Sequence, residues 1–386
     1  MIPLNKQEIK EIKQHFLHLH THPEISWKEI ETTRYLYRIA ANLGCSVRTF
    51  DGCTGLIAEI GTGKPVVAVR SDIDALWQEV DGKYQAHHSC GHDAHMAIVL
   101  GSMIKLQKQA KIQGTIRFIF QPAEEKGAGA LAMIKKGAMD GVDYLFGVHL
   151  RPDSETPDGR AAPAILNGAS TTFEGTILGE EAHAARPHLG INSIEVAAAL
   201  VNRLAFIHLD PMVPYSVKMT SIQAGGESSN IIPAKTVFSL DVRAQTNDTM
   251  DELRKHIHAV CKAVGQSFGA TIQLTEGHCI PATSYNEEAA AIMKEAIVAV
   301  LGADYASPPI VSPGGEDFHF YSKAFPEMKA TMLGLGCGLK PGLHHPDMSF
   351  NEDAIITGVD IMAEAVWRVV GKMQVKNTNG GGSLFL

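Results

Sequence analysis

Up to about residue 165, apolar runs alternate with stretches of helical period. Residues 6–20 and 28–43 read as helices, and GLIAEIG and the almost wholly apolar VVAVR read as strands. After GHDAH, residues 94–109 show helical periodicity through Met96, Val99, Met103 and Leu106. TIRFIF is a predicted strand, GAGALAMIKKG a helix and YLFGVHL another strand. Apolar strands alternating with helices predict an α/β fold, a largely parallel sheet covered on both faces.

From about 168 to 278 the rhythm changes. TTFEGTIL is a predicted strand, 192–208 a helix, SVKMTSIQ and TVFSLDVRAQ two strands, 249–266 a helix and TIQLTEGH a strand. The order βαββαβ is that of a ferredoxin-like α+β unit. The first pattern then returns, with a helix over 286–301, the strand TMLGLG and a closing helix over 352–372. The second unit is therefore expected as an insertion: residues 1–167 and 279–386 form one domain and 168–278 another. RPDSETPDGRAAP and CIPATSYN carry the turn residues expected near those boundaries. The Gly-rich tail VKNTNGGGSLFL is expected to fray.

A length of 386 residues accommodates two domains. The net charge of −8 argues against a nucleic-acid partner, which needs clustered Lys and Arg. No apolar run approaches the ~18–20 residues of a membrane span. The amino terminus, MIPLNKQEIKEIKQHF, lacks the apolar core and cleavage site of a signal peptide, so a cytoplasmic location is expected. The six cysteines are scattered without a CxxC, and no disulfide framework is expected.

Candidate chemistry collects after the apolar strands. VVAVR runs into Asp72 and Asp74, TIRFIF into Glu124 and Glu125, YLFGV into His149, and TMLGLG is followed by His344 and His345. Ligands of open α/β sheets bind beyond the carboxyl ends of the strands. Between them lies HHSCGHDAH, in which only Gly91 separates Cys90 from His92. Thiolate, imidazole and carboxylate together suit Zn²⁺ and its first-row neighbours, and glycine lets adjacent loop residues both serve as ligands. A nucleophilic Cys90 activated by histidine is the alternative. His87, His88 and His95 are supporting or solvated groups on this reading.

The strings LHTHPEISWKE, VRSDIDAL, HHSCGHDAH, QPAEEKGAGA, GVHLRP, EEAHAARPHLGINSI, GGESSNIIP, SLDVR, GGEDF and LHHPDMSFNED occur in order over about residues 12–372. They resemble the aminoacylase/carboxypeptidase family of di-metal amidohydrolases, in the branch of hippurate hydrolases and auxin–amino acid conjugate hydrolases. The resemblance implies a di-zinc-exopeptidase-like fold, its inserted domain serving as a lid and a dimerisation surface. It implies two divalent ions (Zn, Mn, Co or Ni) held by Cys90, His92, Glu125, His149 and His344, with Cys90 bridging. It makes Glu124 the general acid/base and His183 the group that polarises the scissile carbonyl. Asn230 and Arg243 fall on substrate-binding positions, and Asp74 on the aspartate that supports the metal site. The implied activity is deacylation of N-acyl amino acids by a metal-activated water. Alternatives are a dipeptidase or carboxypeptidase on the same scaffold, or a non-catalytic metal-dependent binder of amino-acid conjugates. No nucleic acid or membrane partner is implied. The chain departs from the family at Trp77, where a proline is usual, and at GEEAH, where GKGGH is usual, which adds Glu180 and Glu181 near His183. The resemblance assigns no role to Glu316 and Asp317.

Overall fold

The structure, a computed structural model, describes residues 1–109 and 112–371. The Gly-rich tail lies outside them. The largest sheet has seven strands, in the spatial order Ser46–Phe50, Cys53–Thr62, Gly114–Gln121, Val66–Asp72, Tyr144–Pro152, Lys329–Leu339 and Ala161–Ala162. The four from Gly114–Gln121 to Lys329–Leu339 are mutually parallel, and the outer pairings are antiparallel. Every residue of Val66–Asp72 is buried, which is why VVAVR reads as a continuous apolar run rather than an alternating one.

Alternate strand residues feed two cores. On one face Leu56, Val67, Val69, Phe118 and Val148 pack beneath helices Lys6–Thr21, His92–Gln107, Glu287–Leu301 and Ala354–Val370. On the other, Ile57, Ala68, Ile119, Leu145 and Met332 pack against helices Gly129–Lys135 and His319–Ala324. Helix His92–Gln107 is buried at all but its last residue, because it lies between the sheet and helices Lys6–Thr21 and Ala354–Val370. A β-carbon on its Gly101 would come within 2.4 Å of Val359, so glycine permits that crossing.

The second sheet is antiparallel, in the order Tyr215–Ala224, Lys235–Ala244, Ala169–Leu178 and Thr271–Glu276. With helices Ser193–Leu204 and Asn247–Phe268 it has the predicted ferredoxin-like βαββαβ order. One face carries its own core around Phe173, Leu200, Leu240 and Leu253, while the alternate residues of Ala169–Leu178 stay at least partly open.

Three local elements differ from expectation. Helix His92–Gln107 starts at His92 itself, two residues earlier than predicted. Leu76–Val80 and Lys83–His87 form an unforeseen hairpin whose turn is Asp81–Gly82, both at positive φ. The closing helix ends at Val370.

Candidate functional site

The carboxyl ends of the central strands converge. Asp72 ends one strand, Glu124–Lys126 forms a 3-10 turn just beyond another, and His149 lies in a third. Gly91, at φ 82°, turns the chain between Cys90 and His92, and a β-carbon there would meet Leu150 Cδ1 at 2.9 Å. The chain needs glycine on both counts.

Five predicted ligands meet here in two groups that share one atom. Cys90, His92 and His149 form one, and Cys90, Glu125 and His344 the other. Cys90 Sγ lies 3.7 Å from His149 Nε2 and 3.3 Å from His344 Nε2, while His344 Nε2 is 3.3 Å from Glu125 Oε1. His344, at φ 65° and with its N–H donated to the Ser89 carbonyl (2.6 Å), turns inward. Its neighbour His345 instead accepts from the Asp347 N–H.

Neighbouring groups fix the outward atoms. His92 Nδ1 is 2.8 Å from the Asp74 carbonyl and 3.2 Å from its carboxylate, and His149 Nδ1 is 2.7 Å from the Leu150 carbonyl. Both rings therefore turn Nε2 toward Cys90, as metal-bound histidines are usually held. Asp74 also accepts from the Ser26 hydroxyl (2.6 Å) and the Glu125 N–H (3.1 Å), tying two candidate ligands to one carboxylate.

The donor set passes a physical test for cations. His92 Nε2 and Glu125 Oε1 are buried and make no hydrogen bond. His92 Nε2 lies 3.7 Å from Asp72, 3.9 Å from Glu124 and 3.9 Å from Glu125. Buried polar atoms are almost always satisfied, and here acceptors surround a place that a metal ion would fill. Burial, then the charge of Glu125, pushes the Cys90 thiol up to about 12. A nucleophilic thiolate needs the opposite shift, so the thiol reading loses ground; as a ligand Cys90 would be ionised only by the charge of a bound cation. Burial, then His95 and Arg151, holds His149 neutral far below the usual imidazole range, as a ligand must be.

Glu124 sits beside this cluster. Burial, followed by the charges of Glu316, Asp317 and Glu125, raises its carboxyl well above the usual range. The Asp317 N–H points at Glu124 Oε1 from 3.5 Å. That gives the GGEDF stretch a place. Asp317 and Glu316 also lie 2.9 and 3.1 Å from the guanidinium of Arg70, which is wholly buried and pairs with Asp72 at 2.8 Å and Gln121 at 2.9 Å. Sequence reading passed over Arg70. Its signal was a lone charge ending an apolar strand, which must be paired if buried.

A cavity of about 490 Å³ opens on Cys90, Glu124, Glu125, His149, His344 and Arg243. The Arg243 fork is already half committed: Nε and one terminal nitrogen hold Asp241 at 2.9 Å. His183 and Asn230 stand together, the Asn230 carbonyl accepting from Ala184 N–H at 2.9 Å, but both are exposed and neither lines the cavity. Trp77 lies on the hairpin, 60% exposed, also outside the lining. A larger groove of about 780 Å³ lies at the opposite end of the sheet. It carries no ligand cluster, and its Lys64 and Lys329 are paired with Asp143 and Glu288.

The sequence model of peptidase family M20/M25/M40 matches residues 68–368. The chain belongs to that family. This M20 hydrolase is 31% identical over 363 residues to an N-acetylcysteine deacetylase of Bacillus subtilis, covering 90% of the present chain and 93% of the relative. It is 29% identical over 373 residues to the Arabidopsis thaliana IAA-amino acid hydrolase ILR1-like 5, covering 91% and 84%. A crystal structure of a Bacillus subtilis dinuclear metal-binding peptidase of the M20 family superposes with a TM-score of 0.81 at 28% identity, covering 96% of this chain and all of that one. Among the described residues no helix is long and apolar enough to cross a membrane.

Proposed function

We propose that the chain is a metal-dependent amidohydrolase that cleaves the amide bond of N-acyl amino acids. The observation that carries this reading is a pair of ligand groups sharing Cys90, in one cavity with Glu124 and Arg243. Cys90, His92, Glu125, His149 and His344 would hold two divalent ions, of zinc, manganese, cobalt or nickel. Such ions supply acidification of a water and polarisation of a carbonyl. Glu124, kept basic by burial and by neighbouring carboxylates, takes the water's proton and returns it to the leaving nitrogen. Asp74 holds His92 and Glu125 in place. The terminal nitrogen of Arg243 not engaged by Asp241 receives the carboxylate of the amino-acid half.

In this reading residues 168–278 form a lid on a catalytic domain made of 1–167 and 279–386. His183 and Asn230 reach the scissile carbonyl when the lid closes, or from the lid of a second copy. Mixing Glu124→Gln with His183→Ala separates these routes. Two inactive variants that regain activity on mixing require a second copy, and no recovery means closure within one chain. The relatives' names, an N-acetylcysteine deacetylase and an IAA-amino acid hydrolase, support an acylated amino acid as substrate. The similar structure is described as a peptidase, which keeps dipeptides as the second reading. Amine release from N-acyl amino acids and dipeptides, by protein loaded separately with Zn²⁺, Mn²⁺ and Co²⁺, decides between them. The proposed setting is cytoplasmic.

A further inference from the structure

The segment HPEISWKE is far in sequence from every ligand yet braces the site from behind. Ile25 bridges Ala75, Ala75 N–H donates to the Glu24 carbonyl at 2.8 Å, and Ser26 donates to Asp74. The deepest contact is made by Glu29, whose side chain is completely buried. One carboxylate oxygen accepts from the Thr54 hydroxyl at 2.6 Å and the other from the backbone N–H of Ala123 at 2.9 Å.

Ala123 is the residue before Glu124, and its backbone is left-handed, at φ 51° and ψ 41°. A residue with a β-carbon avoids that region unless its surroundings impose it, and such outliers gather at functional sites. The carbonyl of the same residue accepts from Gly129 N–H at 3.2 Å and Lys126 N–H at 3.4 Å, setting the turn that follows. The direction in which Glu124 leaves the strand is thus decided at Ala123, and Glu29 holds its N–H.

Resting on the reading of Glu124 as the base, we propose that Glu29 is a positioning residue for catalysis, which aims the Glu124 carboxylate by clamping Ala123 in its left-handed conformation. The role needs an acceptor for the Ala123 N–H, not a charge. Glutamine at this position supplies that acceptor and can donate to the Thr54 oxygen. Leucine cannot.

The test compares Glu29→Gln, Glu29→Leu and Glu124→Gln in the metal-loaded full chain, with kcat and KM measured on a series of N-acetyl amino acids and bound metal counted separately. Glu29→Leu should lower kcat about ten- to hundredfold, because a shift near 1 Å costs that much, while KM and bound metal stay within about twofold. Glu29→Gln should keep kcat within about threefold of wild type. Should leucine prevent folding, Glu29→Leu with Ala123→Gly removes the left-handed penalty. That variant should fold, bind metal and still turn over slowly. The inference is overturned if Glu29→Leu keeps wild-type kcat, if its kcat falls only in proportion to lost metal, or if glycine at 123 restores turnover. If Glu124→Gln itself remains active, the underlying reading of the base fails instead.

Discussion

Arg70 offers the sharpest stability prediction. Its guanidinium, fully buried, stands 2.8–3.1 Å from Asp72, Glu316 and Asp317. Replacing it with methionine preserves length and apolar volume but leaves three buried carboxyls without their cation. Breaking a buried pair from one side costs about 3–5 kcal/mol. An independent route gives a similar size. A stranded carboxyl with an unfolded pKa near about 4 can escape by binding a proton, which at pH 7 costs about 4 kcal/mol and at pH 5 about 1.4 kcal/mol. Asp317, pushed up to about 7 by burial against the opposing charge of Arg70, with Glu316 adding to the rise, already takes a proton near neutral pH in the wild type, so the extra proton in the variant falls on a second of the three carboxyls. The sign follows from proton counting. The variant's fold binds more protons than its unfolded chain, so its stability falls as pH rises. Urea unfolding of chelator-treated protein, followed by circular dichroism at pH 5, 6 and 7, reads this directly. Arg70→Met should be about 4 kcal/mol less stable than wild type at pH 7, with the gap narrowing to about 1–2 kcal/mol at pH 5. Arg70→Lys should fall between, since one ammonium cannot fork across three carboxylates. A loss under about 1 kcal/mol at pH 7, or a gap that widens toward pH 5, would refute the reasoning.

Three more predictions follow from the same geometry. Asp74→Ala should weaken metal affinity about ten- to hundredfold by freeing His92 and the Glu125 N–H, and isothermal titration with Zn²⁺ measures this. Gly91→Ala should destabilise the protein by about 1–2 kcal/mol from the left-handed backbone alone, before the clash with Leu150, read as a lower urea midpoint. His319 is held neutral, pushed down to about 3 by burial and then by Arg70, with its ring nitrogen near Thr283 and Asn167. Its unfolded form gains a proton below about pH 6.5, so the protein loses about 2 kcal/mol between pH 7 and 5 through this group. His319→Gln should remove that part of the acid slope in paired unfolding curves.

The parts of the fold legible in sequence were those with a strong period. VVAVR, TIRFIF and YLFGV are buried on both faces, so unbroken apolar runs betrayed them and pointed to the acids and histidines that follow. The hairpin at 76–87 was missed although Asp81–Gly82 is a turn signal, because its strands are half exposed and carry no apolar alternation. Cys90, His92, Glu124, Glu125, His149 and His344 stood out as candidates because each lies on or just beyond a strand or helix end, while their division into candidate ligands and base came from the family resemblance. Arg70 and Glu29 did not stand out, since each acts through partners distant in sequence: Asp317 for one, Ala123 for the other. The distance of His183 and Asn230 from the cavity depends on how two sheets are set against each other, and no local pattern encodes that. The six cysteines are free, in keeping with their scattered spacing.

The account's central claim is that Glu124 moves the proton while a separate set of residues holds metal. The most direct measurement is therefore bound metal and turnover of Glu124→Gln beside wild type, on the best N-acyl amino acid, with and without chelator. The account predicts unchanged metal content, turnover lower by about 10²–10⁴-fold, and no wild-type turnover after chelation until metal is returned. Turnover of Glu124→Gln within about tenfold of wild type, or hydrolysis that survives chelation, would contradict it.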